Sequence, residues 1–302
     1  MRSGGLLMTP VSLASLNTAD EKAFVAALGD IYEHAPWVAQ SALRQRPFAS
    51  ISALHAAMMV AVRAAPSEQR AALIRGHPDL AGKAARAGTM THASKAEQAS
   101  AGLTRLSEEE FARFHALNDA YRQKFAMPFI ICVRRHGKAS ILHNFERRLQ
   151  NSFGVEQEAA LTEIFRIVAL RLDERIEGGE KLPVHGHLST HVLDTHRGEP
   201  ASGLVIEFVE LVSGEEQLVL RREVTNREGR TDEPLIGGRP LPIGRYELRF
   251  HIGDYFAGLD VRQSDPPFLD IVPVRFALAE PEGHYHVPLL VTPWSYTTYR
   301  GS

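Results

Sequence analysis

The sequence predicts two domains, an all-α helical bundle followed by an all-β sandwich, and three observations lead there. The chain has 302 residues, more than one core usually holds. From Thr18 to about Glu177 it is rich in alanine, with apolar residues at helical spacing; beyond Gly186 apolar and polar residues alternate with a period of two. Between these patterns lies Gly178-Gly179-Glu180-Lys181-Leu182-Pro183, whose paired glycines and proline read as a joint. The expected division is an N-terminal extension 1–15, a helical domain 16–177, a linker 178–185 and a β domain 186–302.

Composition narrows the function. Lys+Arg of 34 against Asp+Glu of 36 gives a net charge of −2, so no global field favours nucleic acid or an anionic membrane as partner. Cys132 is the single cysteine, which excludes an internal disulfide and a multi-cysteine zinc site and suits a reducing compartment. Its neighbours Ile130, Ile131 and Val133 predict a buried, inert thiol. The apolar stretch at Met1–Met8 is too short and interrupted for a signal peptide, and no stretch approaches a membrane span. With no Ser-Lys-Leu ending, a cytoplasmic protein is expected.

In the first half, Thr18-x-x-Glu21, Ser94-x-x-Glu97 and Ser107-x-x-Glu110 have capping-box spacing and predict three helix starts. In the last long helix Leu161, Ile164, Phe165, Val168, Leu172 and Ile176 form an apolar stripe that Arg171 interrupts. A guanidinium there needs an anionic or hydrogen-bonding partner, in a structural ion pair or at a ligand; Arg175, one turn on, has the same choice. Pro78 ends the preceding helix and places His77 at a helix-to-loop corner. Pro128 breaks another helix and opens the extended run Phe129-Ile130-Ile131-Cys132-Val133, whose backbone groups need partners or a ligand. Residue chemistry alone stops at a helical domain with a His/Glu/Arg pocket.

These segments resemble the 2-oxo-4-hydroxy-4-carboxy-5-ureidoimidazoline (OHCU) decarboxylases. The resemblance rests on Tyr32-Glu33-His34-Ala35-Pro36-Trp37-Val38-Ala39, Arg46-Pro47-Phe48, Gly76 to Lys83, Ser94 to Gln98, Leu117 to Val133 and Arg147 to Asn151, all in order. Ala126 stands where glycine is expected. The resemblance implies that His77 is the proton donor, with Glu97 and Arg171 as catalytic partners. It makes Pro78, Ser94, Gln98 and the backbone of Phe129, Ile130, Ile131, Cys132 and Val133 substrate contacts. It implies no cofactor, because an adjacent ring carbonyl can delocalise the carbanion left by CO2.

In the second half, Tyr246, Leu248, Phe250 and Ile252 alternate within Gly244–Ile252, and Leu204–Val209 and Val272–Ala277 are further strands. Asn226–Arg230 and Gly237–Pro240 read as turns. His284 and His286 share one strand face; with His185 and His187 they allow a zinc site, but no acidic or cysteine ligand has telling spacing. Leu188-Ser189-Thr190-His191-Val192-Leu193-Asp194-Thr195, Thr225–Thr231, His284–Val291 and the ending Tyr299-Arg300-Gly301-Ser302 together resemble the 5-hydroxyisourate hydrolases, enzymatic relatives of transthyretin. The resemblance implies a transthyretin-like sandwich with a metal-free site of His191, Arg230, His286, Tyr299 and Ser302, with Arg300 and Gly301 contacting substrate. It also implies a homotetramer assembled through the β domain, with the site between subunits. The expected substrates are small molecules, 5-hydroxyisourate and OHCU. A transthyretin-like carrier of hydrophobic ligands and a metal-dependent cyclic amidohydrolase are the competing readings.

Overall fold

The computed structural model describes residues 10–81, 91–104, 106–213, 216–259 and 261–301. Met1–Met8, Gly82, Lys83 and Ser302, all named above, lie outside them. By backbone contacts the chain forms two compact units: one runs to Val133 and resumes at Leu142–Pro183, the other comprises Arg134–Ile141 and the chain from Val184.

The first unit is helical: α1 (Leu13–Thr18), α2 (Glu21–Leu28), α3 (Pro36–Leu43), α4 (Ile51–Ala64), α5 (Ser67–Arg75), α6 (His92–Ser100), α7 (Glu108–Phe125), α8 (Lys138–Arg148), of which it holds the part from Leu142, and α9 (Phe153–Arg175). One of the three predicted capping boxes forms. Ser107 accepts from the Glu110 amide and Glu110 from the Ser107 amide, at 3.1 and 2.8 Å. At the other two, a residue with a better position takes the cap: Asp20 accepts from Ala23 at 2.7 Å, and Thr91 accepts from Ser94 at 3.3 Å. Thr18 therefore closes α1, and Ser94 lies inside α6, free of capping duty.

Two boundaries shift. The unit starts before residue 16, since α1 begins at Leu13 and strand β1 (Val11–Ser12) pairs in parallel with β2 (Ile176–Glu177) beyond α9. The expected linker is anchored in its middle: the Leu182 amide donates to Asp173 at 2.8 Å and the Lys181 ammonium to the Ile176 carbonyl at 2.9 Å. The core is aromatic, with Phe129 stacked on Phe145 at 3.8 Å and Tyr121 edge-on to both. Beneath it Glu156, fully buried, is bonded by Arg148, Tyr121 and Asn151, which offsets the cost of desolvating its charge. Cys132 is buried as expected.

The second unit is a sandwich. One sheet runs β11 (Tyr296–Thr298), β10 (His284–Val291), β3 (Gly186–Asp194), β4 (Glu199–Pro200), with β7 (Ile236–Arg239) also on β3; the other runs β6 (Glu216–Val224), β5 (Val205–Ser213), β8 (Gly244–His251), β9 (Ile271–Leu278). Inward residues Leu188, Val192, Phe208, Tyr246, Leu248, Phe250, Leu289 and Val291 make the core. Three expectations change. Gly237–Arg239, read as a turn, belongs to β7. Ile252, read as strand, begins a short helix α10 (Ile252–Ala257), whose Ile252, Tyr255 and Phe256 still reach the core. Arg134–Ile141 belongs with this unit: the Ile243 amide bonds the Arg135 carbonyl at 2.8 Å and the Gly137 amide bonds the Ile243 carbonyl at 3.0 Å. Among the described residues no helix is long and apolar enough to cross a membrane.

Candidate active sites

In the helical unit a polar cluster sits where α6, α9 and the turn before α3 meet. Arg171, on the stripe of α9, meets Glu97 of α6 through Nε and Nη2 at 2.7 and 2.9 Å. Its Nη1 donates to the Ile31 carbonyl and to Glu33, both at 3.2 Å, and Nη2 also to Ser94 Oγ at 3.3 Å. All five guanidinium hydrogens thus have protein acceptors. Ser94 bridges onward to both Glu33 oxygens at 3.1 and 3.0 Å, and Thr91 donates to Glu33 at 2.6 Å. Burial opposes ionisation of Glu33, but Thr91, Arg171, His77 and Ser94 together outweigh it and hold its carboxyl below the usual range. Burial works against Arg171 too, yet the two carboxylates keep it firmly charged.

His77 is held by its Nδ1, 3.0 Å from the Leu73 carbonyl. A carbonyl only accepts, so Nδ1 carries the hydrogen and Nε2 presents a lone pair. Burial pushes the imidazole down to about 4, against the pull of the Leu73 carbonyl and the Glu33 charge. The ring is therefore neutral at rest near neutral pH. The loop behind it is pinned: Gln98 accepts from the Ala81 amide at 3.0 Å and donates to the Asp79 carbonyl at 3.2 Å, while Asn118 donates to the Leu80 carbonyl at 2.8 Å. His34 and Ala81 both adopt positive φ, at 53° and 50°, a costly conformation retained beside this cluster.

Ser94, Glu97 and Arg171 are thus joined by hydrogen bonds; His77, followed by Pro78, feels the charges of Arg171 and Glu33. Gln98 braces the loop. In the Phe129–Val133 run two groups already have protein partners, the Cys132 amide on Glu163 at 2.8 Å and the Ile130 carbonyl under Arg148 at 2.7 Å. Arg175 makes a structural pair with Asp30, at 3.1 and 2.9 Å. Sequence reasoning missed Glu33, Thr91 and Asn118. Glu33 and Thr91 line a groove of about 470 Å3 together with Asp30, His34 and His92. Glu33 lay in a quoted motif, but nothing local marks it as facing Arg171.

In the β unit, β3 and β10 run parallel with His187 opposite His284 and Ser189 opposite His286. The alternation puts His187, Ser189 and His191 on one face of β3, beside His284 and His286 of β10. Arg230 comes in by a bridge to His191, and Gly301 by a bridge to His286. The turn before Arg230 is tied by Asn226, which accepts from the Glu228 and Arg230 amides at 3.0 and 3.2 Å. Ser189 Oγ lies 3.0 Å from His286 Nδ1, and His187 stacks on His284 at 4.8 Å. Burial lowers the proton affinity of His191 and His286, and the Arg230 charge lowers both further. Neutral imidazoles beside a guanidinium can accept a proton from water while the cation holds an oxyanion.

The tail divides. The Gly301 amide donates to the His286 carbonyl at 2.8 Å, which brings the tail onto the histidine face. Tyr299 is exposed. Arg300 lies over the Tyr285 ring at 4.5 Å, with Glu280 3.8 Å away, rather than over the histidines. Among the described residues no three His, Cys, Asp or Glu side chains group as ligands for a metal ion.

Known proteins resemble both halves. The OHCU decarboxylase family model matches residues 17–173, and the HIUase/Transthyretin family model residues 188–301. A 2-oxo-4-hydroxy-4-carboxy-5-ureidoimidazoline decarboxylase of Haloferax volcanii is 42% identical over 168 residues, 56% of this chain and 98% of its own. A 5-hydroxyisourate hydrolase of Deinococcus radiodurans is 53% identical over 118 residues, 39% of this chain and 98% of its own. A crystal structure of (S)-allantoin synthase is 35% identical and aligns over 97% of this chain and 100% of that one, with a TM-score of 0.50. The chain belongs to the OHCU decarboxylase family through its helical half and to the HIUase/Transthyretin family through its β half.

Proposed function

We propose that the protein is a bifunctional enzyme of urate breakdown. Its β half hydrolyses 5-hydroxyisourate to OHCU, and its helical half decarboxylates OHCU to (S)-allantoin and CO2. One observation carries this reading: two families whose names describe consecutive reactions occupy one chain almost end to end.

In the hydrolase reaction, a neutral histidine, His191 or His286, takes a proton from water as its oxygen attacks the ring carbonyl. Arg230 holds the oxyanion, and the proton passes to the ring nitrogen as the C–N bond breaks. Tyr299 to Ser302 close the site, and a homotetramer built through the β half completes it. In the decarboxylase reaction the C–C bond to the carboxylate breaks and its electron pair is delocalised into the ring. His77 then delivers a proton to one face, which sets the handedness of allantoin. Glu97, Arg171, Pro78, Ser94, Gln98 and the Phe129–Val133 backbone hold the ring. A cytoplasmic location is part of this reading, since a single cysteine suits a reducing compartment.

The test is to supply freshly made 5-hydroxyisourate to the purified protein and follow its ultraviolet absorbance and the optical rotation of the product. Accelerated loss of absorbance followed by dextrorotatory allantoin is expected. Spontaneous rates and a racemic product would overturn the reading.

A further inference from the structure

In the β unit the His286 ring is held from both sides by the strands that flank it. Ser189 of β3 lies opposite it in the parallel register, and Gly301 of the tail lies opposite it on the other side. Ser189 Oγ meets the ring at Nδ1, 3.0 Å away, while a Cβ on Gly301 would stand 2.9 Å from Cδ2. Nδ1 and Cδ2 are the two ring atoms next to the point of attachment. With one turned to β3 and the other to the tail, Nε2 and Cε1 point away from the sheet. Nδ1 is occupied, so Nε2 is the nitrogen left for water and substrate.

The next hydroxyl along β3 behaves differently. Thr190, on the core side and 1% exposed, donates to the Val287 carbonyl at 2.8 Å and so ties strand to strand. Ser189 Oγ bonds no backbone group, and among the described residues His286 is its single hydrogen-bond partner. One pair nearer the strand start, His187 faces His284 and the two rings stack, with centroids 4.8 Å apart. The small side chain of Ser189 instead leaves room for the His286 ring to be held by its edge. A neutral imidazole accepts a proton at one nitrogen only when the other carries the hydrogen. For Nε2 to be the acceptor, Nδ1 must donate and Ser189 Oγ must accept.

Resting on the hydrolase reading above, we propose that Ser189 is a positioning residue for His286: its Oγ accepts the Nδ1 hydrogen and leaves the lone pair on Nε2, aimed off the sheet at the attacking water. The water's proton goes to Nε2 as its oxygen bonds the ring carbonyl carbon. It passes on to the ring nitrogen, which keeps the electron pair, as the C–N bond breaks. The imidazole is then neutral again, with its hydrogen on Nδ1 alone. In this role Ser189 touches neither water nor substrate and acts only through the ring.

The experiment measures isourate hydrolysis by the full-length protein and by its Ser189→Ala and Ser189→Thr variants, with OHCU decarboxylation by the same samples as an internal reference for folding. In Ser189→Ala kcat should fall about three- to tenfold, the effect of losing one hydrogen bond, with KM unchanged. Ser189→Thr keeps the hydroxyl and should restore most of the rate. Nitrogen-15 spectra of the histidine rings, with His286 assigned by the signal lost in His286→Gln, tell the two tautomers apart. They should show Nδ1–H in the wild type and a share of Nε2–H in Ser189→Ala. Wild-type kcat in Ser189→Ala, a change in KM alone, a threonine variant as slow as the alanine one, or Nε2–H in the wild type overturns the proposal and leaves the hydrolase reading standing. Wild-type protein that leaves isourate to spontaneous decay overturns both.

Discussion

Arg171 and Glu97 meet as a planar two-point pair, 2.7 and 2.9 Å, across 74 residues of sequence. The pair sits on a helix stripe that would otherwise be apolar, and the same guanidinium ties down Glu33, Ser94 and the Ile31 carbonyl. Lysine offers three hydrogens from one point and no fork. In Arg171→Lys, Glu33 and Glu97 lose contacts while Glu33 stays buried and Glu97 half-buried. The helical unit should lose about 3 kcal/mol, the cost of breaking a buried ion pair. OHCU decarboxylation should be abolished, with isourate hydrolysis retained. Urea unfolding followed by helical circular dichroism, beside the two activities, checks this.

Burial also gives the helical unit a pH dependence with a definite sign. His77 binds its proton at about 4 when folded and near 6.5 when unfolded. Between those values the unfolded chain holds more protons, so stability rises with pH through that window and is lost as pH falls. The full loss is on the order of 3 kcal/mol. Glu33, lowered from its ordinary value, adds a loss of the same sign at still lower pH. The urea midpoint of the helical signal should therefore drop between about pH 7 and about pH 5, and His77→Gln should flatten that drop. An equal drop in the variant would assign it to other groups.

How far this was legible in the sequence depends on the range of each interaction. The Ser107–Glu110 box is local and could be read directly. Thr18 and Ser94 had the same spacing, but Asp20 and Thr91 compete for the same amides and win. The stripe of α9 announced that Arg171 would be buried and need an anion; it could not say which, because Glu97 and Glu33 lie 74 and 138 residues away. Alternation placed His284 and His286 on one face, yet the neighbour of that strand is set by the sandwich topology, which pairs β10 with β3 in parallel. Family motifs supplied what periodicity lacked. They did not single out Glu33, whose partner Arg171 lies 138 residues away. Helix α10 was hidden because Ile252 continues the alternation of β8 for one more residue.

Ala126, where glycine was expected, turns out to be the C-cap of α7 with φ 52° and ψ 28°. A left-handed conformation costs an L-residue about 1–2 kcal/mol, and glycine escapes most of it at the expense of a more flexible unfolded chain. Ala126→Gly should therefore stabilise the helical unit, by up to about 1 kcal/mol after the unfolded-state loss. A raised urea midpoint with unchanged decarboxylation is the expected result. A lowered midpoint would mean that the Ala126 methyl packs well enough to offset its backbone strain.

Gly301 holds the tail against His286 by the bond from its amide to the His286 carbonyl, 2.8 Å, and by having no side chain. A Cβ at this position would stand 2.9 Å from His286 Cδ2, closer than such atoms approach, and 3.1 Å from its Cβ, tighter than most such contacts. The neighbouring ring is itself held, with Nδ1 3.0 Å from Ser189 Oγ. In Gly301→Ala, either the ring leaves that position or the tail lifts from the strand. Misplacing a catalytic group by about 1 Å costs on the order of a hundredfold in rate. Hydrolysis of 5-hydroxyisourate should fall by one to two orders of magnitude on that scale, with OHCU decarboxylation unchanged. Ser189→Ala, which frees the ring but leaves the tail docked, should produce a smaller fall. Both variants are read by the ultraviolet decay of isourate, and wild-type hydrolysis in Gly301→Ala would remove the tail and its contact with His286 from the site.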